Sequence, residues 1–286
     1  MPHIDQFESV FKAADKTPFV RDSIEIQKVL VITDLNDEAA TQHCATVQHL
    51  LGSLNQGASA EYQIITGDQF TTVASLIQQV EDSQPDLICM YRNLHSPASD
   101  FPYSLGIYVD VMAQATQVPV LILPHPENPV ANEDPTTVIE RVMAITDHLA
   151  GDHRLVNYAA AVTPAAGRLY LTHVEDKGAF QRYCETIGKI PAIETDKAQD
   201  QILGQLLKEP REYIESCRQA FAEGPTTLAI EDVVVLGHRM QDYRRLVEEH
   251  GIDLLVMNTK DDDQLAMHGL AYPLAVELRH LPLLLV

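Results

Sequence analysis

Three short apolar runs occur twice along the chain, in the same order. Val29 to Asp34 (VLVITD) is echoed by Val142 to Asp147 (VMAITD), Asp86 to Met90 (DLICM) by Asp253 to Met257 (DLLVM), and Val118 to Leu123 (VPVLIL) by Leu281 to Val286 (LPLLLV). Continuous apolarity, rather than alternation with polar residues, is the pattern of a parallel strand buried on both faces. Helix-period segments lie between the runs: Phe70, Val73, Leu76, Ile77 and Val80 mark one face before Asp86, and Tyr243, Leu246 and Val247 mark a shorter one before Asp253. Gly106 precedes Pro119 by the same interval as Gly269 precedes Pro282, and a helix fits each interval. Strand and helix therefore alternate, which predicts right-handed crossovers and an α/β fold with a mainly parallel sheet flanked by helices in each half.

The two halves are unequal. The stretch from Asp147 to Gly237 is far longer than that from Asp34 to Gly67, and it holds a strand at Arg168 to Val174, a mixed loop from Gly178 to Asp196 and a helical pattern from Gln199 to Ala222. In the first half the corresponding interval offers only Tyr62 to Thr66. The expectation is a shortened first domain with four strands against five, with Tyr62 to Thr66 taking the vacated place beside the first strand. Ile4, Phe7, Val10 and Phe11 have helical spacing, so residues 1–27 read either as an extension with a helix covering the bared face or as a frayed tail. Pro124, Pro126, Pro129 and Pro135 mark a linker. The predicted organisation is an extension over 1–27, a first domain over 28–125, a linker over 126–139 and a second domain over 140–286.

Composition narrows the partners. The chain has 286 residues, and domains average roughly 150, so two modest cores fit better than one. Lys and Arg total 20 against 41 for Asp and Glu, and a net charge of -21 repels nucleic-acid backbones and anionic membranes. No apolar run approaches the roughly 20 residues that span a bilayer. The start, MPHIDQFESV, has neither a basic nor a continuous apolar stretch, which leads to the expectation of a cytoplasmic protein. Cys44, Cys89, Cys184 and Cys217 are widely spaced and read as reduced packing thiols.

With these landmarks in place the chain resembles the universal stress proteins, in a tandem, two-domain form. The residues that carry the resemblance are Thr33-Asp34 and Thr146-Asp147, Gly67-Asp68 and Gly237-His238, Asp86 and Asp253, Gly106 and Gly269, and Pro119 and Pro282. They cover roughly residues 28–125 and 140–286. The resemblance implies two adenine nucleotide alpha hydrolase-like domains whose closing strands pair across a two-fold interface. In a tandem chain that makes an internal pseudo-dimer, with a homodimer a further option.

The resemblance also implies a nucleotide site: the acid after the first strand, and a loop of pattern Gly-x2-Gly-x9-Gly-Ser/Thr for phosphates. The physical basis is anion binding by backbone amides and helix N-termini. With Gly106 as the last glycine, Asn93 and Ser96 stand at the first two positions and Ile107 replaces the hydroxyl residue. In the second half Gly269 is kept, Leu270 replaces the hydroxyl residue, and the loop from Asn258 is shorter. Asp261, Asp262 and Asp263 fall where phosphates would lie; they read as a solvated turn or as carboxylate ligands of a divalent cation. Asp34 and Asp147 end their strands where open α/β sheets bind ligands, although turn formation or helix capping explains an aspartate there equally well. An adenosine-like or other small ligand without a triphosphate would meet Thr146, Asp147, Val174, Met257 and Asn258 in one half and Thr33, Asp34, Met90 and Tyr91 in the other, and ATP or AMP is the cofactor that the resemblance implies.

Other chemistry lacks its residues. There is no HExxH, Walker loop, GxSxG elbow or GxGxxG after a strand, and no metal-ligand spacing among the 12 histidines. His148 and His153 flank the turn after Asp147, where they line a pocket or simply start a helix in water. Tyr91, Phe101, Tyr103 and Tyr108, with Pro97 and Pro102, form either a partner surface or a loop packed on its own domain. The expected function is a stress-response sensing or adaptor module, not an enzyme, acting on other proteins through degenerate ATP-binding loops. The competing readings are an adenine-nucleotide sensor with slow hydrolysis and an unrecognised enzyme on the same sheet.

Overall fold

The structure, a computed structural model, describes residues 18–52, 60–96, 103–126, 138–190, 195–224, 228–258 and 271–286. Its first half runs β1 (Lys28–Ile32), α1 (Asp37–Gly52), β2 (Glu61–Ile65), α2 (Val73–Ser83), β3 (Leu87–Tyr91), α3 (Ile107–Ala115) and β4 (Val120–Leu123). The second half runs β5 (Arg141–Ile145), α4 (His153–Ala161), β6 (Arg168–Asp176), α5 (Lys177–Ile187), α6 (Thr195–Ala222), β7 (Ala229–Gly237), α7 (Arg239–His250), β8 (Leu254–Met257), α8 (Ala271–Glu277) and β9 (Leu283–Leu285).

All these strands lie in one sheet of order β2-β1-β3-β4-β9-β8-β5-β6-β7. Every neighbouring pair is parallel except β4 with β9, which join antiparallel through Val120↔Leu285, Leu121↔Leu284 and Ile122↔Leu283. The fold class is therefore α/β, as the alternating pattern implies. Read outward from that junction, β9, β8, β5 and β6 mirror β4, β3, β1 and β2, and β7 adds an outer edge in the second half alone. β2 sits beside β1 over Lys28↔Glu61 to Ile32↔Ile65, the place β6 holds beside β5. In the first half the single outer strand, β2, thus takes the place beside the first strand that β6 takes in the second.

Burial follows position in the sheet. β1, β3, β4, β5, β8 and β9 are buried almost throughout, the outcome expected where helices cover both faces. The outer strands differ: β2 alternates between exposed and partly buried residues, and β7 places Glu231 and Asp232 in solvent, charges that discourage edge-to-edge pairing. One apolar cluster runs through both halves from Phe19 to Val286.

The repeated aspartates before β3 and β8 have a structural task. Asp86 Oδ2 accepts the Gln27 and Lys28 amides at 2.9 and 2.8 Å, and Asp253 Oδ2 accepts those of Glu140 and Arg141 at 3.1 and 2.9 Å. Each carboxylate thus clamps the start of the neighbouring strand.

One expectation is revised. Much of the predicted mixed loop from Gly178 is helix α5, begun by Asp176, whose Oδ1 accepts the Ala179 amide at 2.6 Å. Residues 18–27 carry no helix or strand, and Phe19 packs on α4 and α6 of the second half. Ile4, Phe7, Val10 and Phe11 lie outside the described residues, as does 127–137 of the predicted linker.

Candidate functional site

Parallel strands end together, so the carboxyl ends of β1 and β3 bring Thr33, Asp34 and Tyr91 to one edge of the first half. Thr33 and Tyr91 are wholly buried. The Tyr91 hydroxyl donates to Asp34 Oδ1, accepts the Asp34 amide at 3.2 Å and lies 3.0 Å from Thr33 Oγ1. Burial, and then the bond to Asp34, push the phenol's pKa up, so it stays a donor. The other carboxylate oxygen accepts the His95 amide at 2.6 Å. Edge-on contacts from His43 and His125, each 5.2 Å from the Tyr91 ring, close the sides. Burial holds the His43 imidazole below its ordinary pKa, with Asp34 opposing.

The turn after β3 brings Asn93 and Gly106 together. Asn93 has φ +59°, a left-handed conformation that asparagine tolerates better than most residues, and its amide donates to Leu105 O at 2.9 Å. A Cβ on Gly106, itself at φ +89°, would lie 2.8 Å from Asn93 Cα. Ser96 continues the turn, its amide donating to Asn93 O at 3.0 Å. A Cβ on Gly67 would sit 2.8 Å from Asp34 Cα, so only glycine lets that loop approach. Met90, buried in β3, has its Cβ on the face opposite to that of Tyr91 and is not part of the Asp34 cluster.

In the second half Asp147 Oδ1 pairs with Arg239 Nη1 at 2.8 Å, and Arg239 Nε donates to the Val174 carbonyl at 3.2 Å. The Val174 amide donates to Tyr243 Oη at 3.3 Å, and that hydroxyl donates to the Thr146 carbonyl at 3.1 Å. Two side chains of α7 thus bind the ends of β5 and β6 together across the predicted crevice. Met257 is buried, while Asn258 turns away from Asp147 and donates through Nδ2 to Asp152, the N-cap of α4. Gly269 and Asp261 to Asp263 lie outside the described residues, as do Pro97, Phe101 and Pro102; Tyr108 is buried and Tyr103 is 79% exposed.

Sequence reasoning found the two aspartates and Tyr91 but missed the His95 amide and Arg239. The His95 contact uses a backbone amide, which carries no residue signature, and Arg239 is one more cation at a helix start. Among the described residues no group of three or more His, Cys, Asp or Glu side chains is placed to hold a metal ion.

The fold is similar to that of a solved structure. A universal stress protein from Archaeoglobus fulgidus DSM 4304 superimposes with a TM-score of 0.50 at 15% identity, over 92% of this chain and 97% of that one. The fold is that of a universal stress protein. A protein of unknown function from Pseudomonas aeruginosa PAO1 is also similar, with a TM-score of 0.49 and 13% identity over 91% of this chain and 92% of that one. No family model and no curated protein matches the sequence. No described helix of this universal-stress-protein fold is long and apolar enough to cross a membrane.

Proposed function

We propose that this chain is a tandem universal stress protein that works as a non-catalytic sensing or adaptor module in a stress response, with loops that do not take ATP. One observation carries the reading: both aspartates that end the first strand of each half are already bound by the chain itself. Asp34 is satisfied by Tyr91 and the His95 amide, and Asp147 by Arg239, which also takes the Val174 carbonyl. A ligand would have to break these contacts before making its own. Asn93, Ser96 and Ile107 in the first loop, and Leu270 with three aspartates in the second, remove features a triphosphate would use.

A second reading, an ATP or AMP sensor in one half, is favoured by the inequality of the two closures. The Asp34 cluster is largely buried, whereas the Asp147–Arg239 pair has side chains 50% and 26% exposed, and such pairs contribute only about 0–1 kcal/mol. A nucleotide would enter the second half first.

Calorimetric titration of the purified chain with ATP and AMP, with and without Mg2+, decides between them, preceded by mass spectrometry for a carried-over ligand. The adaptor reading expects no saturable binding. Saturable binding at about micromolar affinity, near -8 kcal/mol, that disappears in Asp147→Ala overturns it in favour of the nucleotide sensor.

A further inference from the structure

Residues 18–22 belong by connectivity to the first half, just ahead of β1, yet the second half holds them. The Phe19 ring, 7% exposed, meets Phe221 at 5.3 Å, His153 at 5.8 Å and Tyr213 at 6.2 Å, and its amide donates to Ser216 Oγ at 3.0 Å. Asn157, 3% exposed, accepts the Asp22 amide on Oδ1 and gives Nδ2 to the Val20 carbonyl, both at 3.0 Å. One side chain thus engages backbone groups of two strap residues, as a neighbouring strand would. Arg21 lies 5.0 Å over the Phe221 ring. Val20 to Ser23 and Glu25 are otherwise exposed, so the segment is gripped from one side.

The remaining contact depends on protonation. His153 Nδ1 accepts the Val20 amide at 3.3 Å and lies 3.0 Å from the Tyr213 hydroxyl. With a proton on Nδ1 the ring presents a donor to the Val20 amide, and that contact turns repulsive. We infer that residues 18–22 form a strap latched onto α4 and α6 at neutral pH and released as His153 gains a proton. The charge that acts on the ring from the strap is Asp22, with Arg21 beside it over Phe221, and Asp152, the N-cap, and Arg154 flank His153 in the chain. On α6 it faces Tyr213, next to Cys217, and burial raises the pKa of both, so neither is charged near neutrality. Burial is the larger influence on His153 and lowers its pKa; Asp22 opposes it. A base whose docked pKa is depressed binds at full strength above its free value of about 6.5 and loses that strength as pH falls through the depressed value. His153 follows Asp152, which caps α4 and holds Asn258, so the latch adjoins the second crevice.

Hydrogen exchange by mass spectrometry on the full unmodified chain tests this, comparing about pH 7.5 with about pH 5.5 after correction for intrinsic rates. Amides of residues 19–22 are expected to lose protection, by at most about tenfold, while those of β1 keep theirs. His153→Asn leaves an acceptor near the Nδ1 position and cannot titrate, so its strap protection should be the same at both values; His153→Gln, which also cannot titrate, is used if that variant does not fold. Unchanged protection in the native chain, or an equal loss in the variant, overturns the proposal.

Discussion

Tyr91 shows how a crevice is closed by one hydroxyl. It donates to the Asp34 carboxylate, accepts the Asp34 amide and meets Thr33 in a place where the phenol and threonine are wholly buried. Tyr91→Phe keeps the ring and its contacts with His43 and His125 but strands both an amide and a carboxylate oxygen. Loss of a buried partner costs about 1–3 kcal/mol, so the urea midpoint should fall by that cost divided by an unchanged slope. A change below about 0.5 kcal/mol would mean that water fills the gap and that the crevice is wetter than its packing suggests. At this scale the sequence was half legible. An aspartate after a buried strand points to a site because strand ends converge there. Whether that aspartate faces a ligand or its own chain depends on a tyrosine, a backbone amide and an arginine contributed by other elements, and no spacing along the chain encodes those meetings.

Elements were readable in proportion to how much apolar surface they bury. The repeated strands were plain because both faces are covered, and α2 was plain because Leu76 and Val80 recur at helical spacing. Helix α5 was missed for the converse reason: Ala179 is its sole fully buried residue, so no stripe marks it, and Gly178 in its first turn looks like a loop. The acid that opens β3 and β8 was legible as a motif but not as a clamp. Asp253 Oδ2 holds two amides at the start of β5, with Arg141 Nε 3.4 Å away from the same oxygen. Hydrogen bonds to a charged acceptor contribute about 1.5–3 kcal/mol each, so Asp253→Ala should destabilise by about 2–4 kcal/mol after allowance for partial exposure. Asp86→Ala should behave alike, since Asp86 does the same for β1. Chemical denaturation of both variants checks this; an effect in one half alone would refute the equivalence of the repeated motif.

At the scale of the whole molecule, charge and the central junction oppose each other. With 41 acids against 20 bases the chain repels itself, and raising salt from about 0.01 to 0.15 M shortens the screening length from about 30 to 8 Å. The melting temperature should therefore rise with salt, despite the screening of surface ion pairs such as Arg245–Glu249. What holds the halves together against this repulsion is the β4–β9 pairing and Arg92, a buried guanidinium at the end of β3 that donates to the Ala275 and Leu278 carbonyls where α8 ends. Leu284 lies at the centre, 2% exposed, registered with Leu121 on one side and Val256 on the other. Leu284→Ala opens a cavity between the halves and should cost about 2–5 kcal/mol. Because one apolar cluster spans the molecule, hydrogen exchange in β1 and β6, on opposite sides of the junction, should accelerate together in this variant. If β6 loosens while β1 keeps its protection, the halves are separately stable units that merely touch.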